Sequence, residues 1–196
     1  MTQRKFLVLV AIALVALLPA ESAWANLVTN GGFETGFTGW SPTYASSGSA
    51  LQLWSNPYPH SGDWAAGFGA RGPEADALYQ SITTTPGATY SVSFWLRNAS
   101  GTTDQDYHLE FDWMSSTPVE FDISSDHSDF YTQYIFTMTA DSPTTGIEFS
   151  GYNFDSVFYL DDVSAQPVAA PEPATMLLLG SGLLGLAALG RRRFKK

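Results

Sequence analysis

The chain of 196 residues contains no cysteine. Disulfide bonds and thiol chemistry are therefore excluded, and a folded domain must be stable through its hydrophobic core alone. Between two apolar ends lies one long segment of mixed composition, residues 26–166. Its length of about 140 residues can bury an adequate core without covalent cross-links, so we predict a single domain here.

Basic residues are also scarce, with 9 lysines and arginines against 19 acidic residues. Seven of the nine lie within positions 4–5 and 191–196, so residues 26–170 keep only Arg71 and Arg97. Two arginines against 17 acidic residues leave that segment with a net charge of -15. Such a surface repels the phosphates of nucleic acid and excludes it as a partner, whereas calcium ions, neutral sugars and basic partners remain compatible.

Motifs of common hydrolases and nucleotide-binding enzymes are missing too. The sequence has no G-x-S-x-G, no H-E-x-x-H and no P-loop. His108, Glu110 and Asp112 alternate at strand spacing and would share one face, where they could form a metal or acid–base cluster. Such alternation is more often only a solvated face, so we predict that the protein is not an enzyme.

The N-terminal segment has the features of a secretory signal peptide. Arg4 and Lys5 form a basic start, residues 6–18 are an apolar core of 13 residues, and Ala23-Trp24-Ala25 matches the A-x-A cleavage pattern. That core is short for a retained membrane anchor, which is the alternative. We therefore predict a signal peptide at residues 1–25 that signal peptidase removes.

The C-terminal segment combines a proline motif, an apolar run and a basic end. Its parts are Pro171, Glu172 and Pro173 in a linker at 167–173, 17 uncharged residues at 174–190, and a tail at 191–196 with Arg191, Arg192 and Arg193. As a transmembrane helix the uncharged run would span about 26 Å, near the lower limit for a bilayer core. The positive-inside rule keeps the basic tail in the cytoplasm and places the domain on the other side.

This order of motif, span and basic end resembles the PEP-CTERM sorting tail of exported and surface proteins in Gram-negative bacteria that make exopolysaccharide. The resemblance implies that an exosortase, a membrane-embedded cysteine protease, recognises the tail and cuts near the Pro-Glu-Pro motif. Before processing, a single helix would hold the protein in the inner membrane with its C-terminus in the cytoplasm. Afterwards the protein would reach the cell surface or the medium.

The segment between the two ends alternates apolar and polar residues as β-strands do. The clearest stretches are TYSVSFWLRN (89–98), HLEFDWM (108–114), YIFTM (134–138) and GIEFSG (146–151). Turn residues separate them, and no stretch of useful length has a helical period. Many short strands at this spacing predict an all-β fold, a β-sandwich over residues 26–166.

Four stretches resemble, in the same order, those of jelly-roll carbohydrate-binding modules in the galactose-binding-like superfamily. They are NLVTNGGFETGFTGW (26–40), HSGDWAAGFG (60–69), ALYQSITTTPGATYSVSFWLR (77–97) and FYLDDVSA (158–165). The resemblance implies a jelly roll in which the first and the last of these stretches are strands that lie side by side.

In the resembling modules a calcium ion often joins those two strands. Carried over to this chain, Glu34 and one or both of Asp161 and Asp162 would supply carboxylate oxygens, which suit Ca²⁺. The alternative is that Glu34 makes a turn contact and the two aspartates form a solvated strand end. The neighbouring Gly31 and Gly32 are expected to serve a turn or a bulge.

Aromatic rings that can stack on sugars are the candidates for a glycan site. In order of preference these are Trp95 with Arg97, on the strand face opposite the predicted core, and then Trp54, Tyr58 and His60 in the loop WSNPYPH. The tryptophans expected in the core are Trp40, Trp64 and Trp113. For any single ring packing is the more frequent role, because aromatic residues dominate β-sheet cores.

Two functions therefore compete. The first is a non-catalytic surface module that binds exopolysaccharide or another glycan. The second is a structural protein of the biofilm matrix or of adhesion that keeps the fold without a sugar site. An enzyme that acts on glycans is a distant third.

Overall fold

The computed structural model describes residues 25–46, 48–72, 74–98, 107–116, 119–122, 128–154, 156–168 and 180–184. The predicted signal peptide before Ala25, the Pro-Glu-Pro motif and the basic tail lie outside these ranges. Of the predicted transmembrane helix, residues 180–184 are described, and they are helical. Within the described part of the chain, no helix has the length and hydropathy that crossing a membrane requires.

The strands of the described chain form two antiparallel sheets of five strands each. Sheet I has the order β1 (Ser41–Thr43), β4 (Asp76–Thr83), β9 (Thr144–Asn153), β6 (Tyr107–Met114) and β7 (Val119–Asp122). Sheet II has the order β2 (Gln52–Ser55), β3 (Trp64–Phe68), β10 (Phe158–Pro167), β5 (Thr89–Asn98) and β8 (Ser128–Thr139).

The core lies between the two sheets and is rich in phenylalanine. Phe94 of β5 meets Phe149 of β9 and Phe111 of β6 across the interface, with ring centres 4.8 and 5.3 Å apart. All three rings are fully buried, and each such ring contributes about 2–3 kcal/mol through burial. The contacts between sheets confirm the prediction of an all-β sandwich.

The predicted strands are confirmed, but the N-terminal stretch is not a strand. Residues 26–40 form successive turns, with positive φ at Asn30, Phe33 and two glycines. The stretch still runs beside β10, because Leu27 N donates to Ala165 O at 2.9 Å and Val163 N donates to Gly31 O at 3.0 Å. A Cβ on Gly31 would overlap the Val163 carbonyl, so this approach requires glycine.

The core tryptophans follow the prediction in two of three cases. Trp40 and Trp113 are buried, which confirms their assignment to the core. The prediction for Trp64 is wrong, because its side chain is 37% exposed. Trp64 is the first residue of β3 and pairs with Ser55, the last residue of β2, so it sits where the sheet ends and its loop begins.

Candidate functional site

The face of sheet II that points away from the core carries aromatic and charged side chains. On β5, Trp95 and Arg97 alternate with fully buried core residues, which agrees with the face expected from the sequence. On β10, Tyr159 pairs with Arg97 and Asp161 pairs with Trp95. The guanidinium carbon of Arg97 lies 5.6 Å from the centre of the Tyr159 ring, a cation–π contact.

Trp54, on the edge strand β2, lies across the same face. Gly67 on the neighbouring strand leaves room for the indole, because a Cβ at that position would overlap its Cδ1 and Nε1 atoms. The indole meets Tyr58 and Tyr159 at centre-to-centre distances of 5.0 and 5.6 Å, both edge to face. Two neighbouring rings therefore hold Trp54 in one orientation.

The loop between β2 and β3, residues 56–63, folds back over this face. Tyr58 stacks on Tyr159 with ring centres 4.8 Å apart, and His60 stacks on Trp95 at 3.9 Å. The Tyr131 hydroxyl donates a hydrogen bond of 2.7 Å to the Tyr58 carbonyl, and burial raises the pKa of Tyr131. We call the following residues the aromatic cluster: Trp54, Tyr58, His60, Trp95, Arg97, Tyr131 and Tyr159.

The aromatic cluster contains the residues predicted to bind sugar: Trp54, Tyr58, Trp95 and Arg97, with His60 as the further candidate from the same stretch. Tyr58 and Arg97 meet through the Tyr159 ring, and His60 stacks on Trp95. Trp95 is half-buried, and His60 covers one face of its ring, so it is not the open platform expected from the strand pattern. A role of these residues in sugar binding stays a prediction.

The buried carboxylate of Asp161 anchors the covering loop. Its Oδ2 accepts hydrogen bonds from the N–H groups of His60 and Ser61 at 2.9 and 3.0 Å, and its Oδ1 accepts one from Asp162 N at 2.8 Å. Asp161 is 0% exposed. Burial raises its pKa to about 6, although the three N–H donors act in the opposite direction.

The other two predicted calcium ligands bind the same loop. Asp162 Oδ1 accepts a hydrogen bond of 2.8 Å from the Ser61 hydroxyl, and Oδ2 lies 2.7 Å from His60 Nδ1. Glu34 accepts hydrogen bonds from the N–H groups of Asp63 and Trp64 at 3.0 and 3.1 Å. The three carboxylates thus meet around residues 60–64.

These carboxylates offer the hard oxygen ligands that calcium prefers. In the arrangement described, their oxygens accept N–H and O–H donors of the loop. Among the residues that the structure describes, no group of three or more histidine, aspartate or glutamate side chains is placed to hold a metal ion. Calcium binding by Glu34, Asp161 and Asp162 therefore stays a prediction.

A pocket of about 420 Å³ lies beside Trp54, at the β2 edge of sheet II. Its wall consists of Trp54, Gln52, Arg71 and Val157 together with residues 48–50. Gln52 precedes Trp54 by two positions on β2 and therefore shares its face. The volume falls in the range of about 300–1,000 Å³ that small-ligand sites occupy. We call it the Trp54 pocket.

A second buried carboxylate shapes the loop beside this pocket. Asp76, the first residue of β4, is 0% exposed. It accepts hydrogen bonds from the N–H groups of Ala45, Ala50 and Gly69 at 3.0, 3.0 and 3.3 Å. Three backbone donors on one carboxylate fix the chain that passes the pocket.

Sequence reasoning identified Trp54 but missed Gln52, Arg71 and Val157. The signal for Arg71 was present, since it is one of only two basic residues in an acidic segment. Gln52 alternates with Trp54 in the sequence, which is a weaker signal. Nothing in the sequence around Val157 indicates a pocket.

The outer face of sheet I carries a group of acidic side chains around β6. His108 Nε2 lies 2.8 Å from Glu110 Oε1, and His108 Nδ1 lies 3.8 Å from Asp122 Oδ1. The strand register places Asp112 opposite a glutamate on each neighbouring strand. We call the five carboxylates of this surface the acidic face: Glu110, Asp112, Glu120, Asp122 and Glu148.

Asp112 is the most perturbed member of the acidic face. It is 7% exposed, and its Oδ1 is buried without a hydrogen-bond partner among the described residues. Burial, followed by the charges of Glu110, Glu120 and Glu148, raises the pKa of Asp112 to about 6. The predicted group of His108, Glu110 and Asp112 does share one face, but it supplies no metal site within the described part of the chain.

Comparison with known proteins identifies the tail. Residues 169–193 match the family described as PEP-CTERM protein-sorting motif, a range that includes Pro171, Glu172, Pro173 and the three arginines. One similar protein is a multifunctional-autoprocessing repeats-in-toxin protein of Vibrio vulnificus, 32% identical over 164 residues. The match covers 76% of this chain and 3% of the toxin, so this chain spans a small fraction of that relative.

Solved structures share the sandwich at low sequence identity. TmCBM61 in complex with β-1,4-galactotriose is 18% identical with a TM-score of 0.58, covering 74% of this chain and 99% of that one. The CBM22-1 xylan-binding domain of Paenibacillus barcinonensis Xyn10C is 14% identical with a TM-score of 0.55, covering 78% and 100%. The enzymatically active domain of bacteriophage CBA120 tailspike protein 4 is 12% identical with a TM-score of 0.58, covering 73% and 21%.

These structural similarities show a shared fold. The ligand of this chain has to be inferred from its own residues. The chain carries a PEP-CTERM protein-sorting motif, and its β-sandwich has the jelly-roll fold of carbohydrate-binding modules.

Proposed function

We propose that this protein is an exported surface protein that binds exopolysaccharide or another glycan without catalysis. The observation that carries the proposal is the Trp54 pocket, in which an indole ring meets the polar side chains of Gln52 and Arg71. Sugar rings have apolar faces that stack on aromatic side chains and hydroxyls that bind polar groups. The pocket offers both at one place.

The packing of Trp54 supports this proposal. Tyr58 and Tyr159 hold the indole, and Asp161 anchors the loop that carries Tyr58. A side chain that is already ordered loses little conformational entropy when a ligand binds. The aromatic cluster therefore preorganises one wall of the pocket.

The test compares two tryptophan variants of the purified full chain in detergent micelles. Trp54→Ala should weaken binding to a retained polysaccharide about tenfold or more, because a central aromatic anchor is lost. Trp64→Ala is the matched control: its ring is exposed and does not line the pocket, so binding should persist. Affinity electrophoresis in gels that contain defined polysaccharides measures the effect.

A structural role in a matrix or in adhesion is the second candidate. It is favoured by the self-contained packing of the aromatic cluster, in which Tyr58 covers Tyr159 and His60 covers Trp95. If folded wild-type protein is not retained by any neutral or acidic polysaccharide, this candidate replaces glycan binding.

The sorting motif supports a processing route. The proposal is that a single helix at 174–190 holds the exported protein in the inner membrane with a cytoplasmic basic end, until an exosortase cuts near Pro171-Glu172-Pro173. The two prolines cannot continue a helix, so they present an extended backbone to a protease. Replacing all three residues by alanine should trap a membrane-bound form in a host with the matching protease. Mass spectrometry of the surface fraction is the measurement, and an intact Lys196 there would show that the tail is only an anchor.

A structural calcium ion is the remaining part of the proposal. Glu34, Asp161 and Asp162 supply three carboxylates around residues 60–64. When bound, calcium would neutralise this charge and tie the N-terminal stretch and β10 to the loop. Binding would require oxygens that now accept hydrogen bonds to turn toward a shared ion.

A further inference from the structure

The charge balance of the domain makes its two arginines informative. Residues 26–170 contain 17 acidic residues and only Arg71 and Arg97. Arg97 has a structural contact, since its guanidinium lies over the Tyr159 ring. The side chain of Arg71 is exposed, and among the described residues its guanidinium forms no ion pair. An arginine with no acidic partner in the described part of so acidic a domain is available to a ligand.

The acidic residues nearest to Arg71 in the chain are occupied elsewhere. Glu74 accepts hydrogen bonds from the hydroxyl and the N–H group of Ser46, which hold its pKa below the usual value. Asp76 is buried and accepts three backbone N–H donors. The backbone of Arg71 is itself fixed, because its N–H group donates to the Gly48 carbonyl at 3.0 Å. The backbone of Arg71 is thus fixed beside the pocket, and no carboxylate of the described chain pairs with its guanidinium.

Arg71 lines the Trp54 pocket, and none of the described residues that line it is acidic. A guanidinium presents N–H donors in a planar fork that matches a carboxylate, while Gln52 can bind hydroxyls and Trp54 can stack on a ring. We propose that the Trp54 pocket takes an acidic sugar, a uronate unit of an anionic polysaccharide, with its carboxylate on Arg71. This inference rests on the proposed glycan binding and names the class of glycan.

The net charge of the domain decides the salt concentration at which binding of an acidic polysaccharide should be measured. A segment at -15 repels an anionic polymer at long range, and salt screens that repulsion beyond about 8 Å at physiological ionic strength. The contact with Arg71 is short and is screened less. Selectivity for the acidic polymer should therefore be measured at 0.15 M salt, about the physiological level.

The experiment uses the full chain in detergent micelles and pairs of polymers that differ only in charge. Polygalacturonate, alginate and hyaluronate are each compared with the carboxyl-reduced form of the same polymer. Wild-type protein should bind at least one acidic form about tenfold more tightly than its reduced form, as a charged hydrogen-bonding pair implies. Arg71→Gln should abolish that preference, so that the variant binds the acidic and the reduced form of the same polymer with equal affinity.

The matched control for net charge is Thr83→Glu. Thr83 is exposed at the end of β4, seven residues or about 23 Å along the strand from Asp76 beside the pocket. This variant should keep the preference, whereas Arg71→Lys should keep only part of it, because an ammonium cannot form the planar fork. A preference that survives in Arg71→Gln overturns the inference.

The failures of this inference and of the proposed function are distinguishable. Equal or tighter binding of the reduced polymers would refute the acidic sugar and leave glycan binding in place. No retention of folded wild-type protein by any acidic or reduced polymer would refute both.

Discussion

Asp161 and Asp112 lie on the outer faces of opposite sheets, and the two residues are buried to nearly the same extent. Asp161 on sheet II is 0% exposed and Asp112 on sheet I is 7% exposed, and burial raises the pKa of each to about 6. Their partners differ completely. Asp161 accepts three backbone N–H donors, whereas Oδ1 of Asp112 has no partner in the described chain and three glutamates act on its charge.

The same difference extends to the whole of both faces. On sheet II, the loop at 56–63 and the aromatic cluster cover the strands, and the carboxylates there hold that loop. On sheet I, two carboxylates of the acidic face lie near His108, and the register places two glutamates beside Asp112. An outward position on a strand thus does not decide whether a carboxylate stabilises the fold; the donors that meet it do.

Removal of the Asp161 carboxylate should have the largest effect. Asp161→Ala removes the acceptor of three part-buried backbone N–H groups, and we expect a loss of about 3 kcal/mol. Equilibrium unfolding of the full chain in micelles, followed by tryptophan fluorescence, measures it. Glu120→Ala on the acidic face is the control and should change stability by less than about 0.5 kcal/mol. Similar losses of stability in the two variants would show that the carboxylates of the two faces do not differ in their contribution to the fold.

Calcium would increase the difference in stability between the two faces, because the proposed calcium site lies on the sheet II side only. A hundredfold excess of free calcium over its dissociation constant should stabilise the wild-type protein by about 2.7 kcal/mol. Chelator should reverse this, Glu34→Gln should abolish the response, and Glu120→Gln should keep it. Identical melting curves in chelator and in millimolar calcium would end the calcium proposal.

Acidification should stabilise the protein through both aspartates. Their pKa values in the folded state lie above those of the unfolded chain, so the folded state binds more protons between about pH 4 and 6. Stability should therefore fall as pH rises through this window, by about 2 kcal/mol in total once solvent screening is allowed for. Thermal melts in a pH series test the sign; a rise in stability toward pH 7 would contradict it.

The substitution Asp112→Asn should be mildly stabilising. It removes a negative charge that burial and the charges of three glutamates make unfavourable. We expect the free energy of unfolding to rise by about 1 kcal/mol at pH 7.5 after allowance for screening. The gain should vanish near pH 4, where the wild-type carboxyl is protonated in the folded state as well. A loss of stability at pH 7.5 would show that Asp112 has a favourable partner.

Local patterns in the sequence predicted much of the sandwich. Alternation identified β5 over residues 89–98 with its inward and outward faces. It also located β6 within one residue, and β8 and β9 by the inner parts of the observed strands. The order of proline motif, apolar run and basic end predicted the sorting tail that the family comparison confirms. These features depend on side-chain periodicity and composition within a few residues, which a single sequence displays directly.

The site depended on contacts that join distant parts of the chain. Alternation places Trp95 on the outer face of β5, but only the folded loop shows that His60, 35 positions earlier, covers it. The turns of residues 26–40 arise where positive φ values and the close approach of Gly31 to β10 replace a strand. The exposure of Trp64 and the shape of the Trp54 pocket likewise depend on the positions of β2, β3 and residues 48–50 in the folded protein.

The sequence by itself therefore determined which residues point inward or outward along the clearly alternating strands, where the sorting tail lies, and how acidic the domain is. The tertiary structure alone decided which outward residues meet. It placed Trp54, Tyr58 and Arg97 against Tyr159, and His60 against Trp95. It also left Arg71 unpaired in the described chain beside a pocket, and surrounded Asp161 with donors but Asp112 with acids. The physical reason is that strand periodicity fixes a direction for each side chain, whereas its partners come from strand order and loop placement, which are set by the whole core.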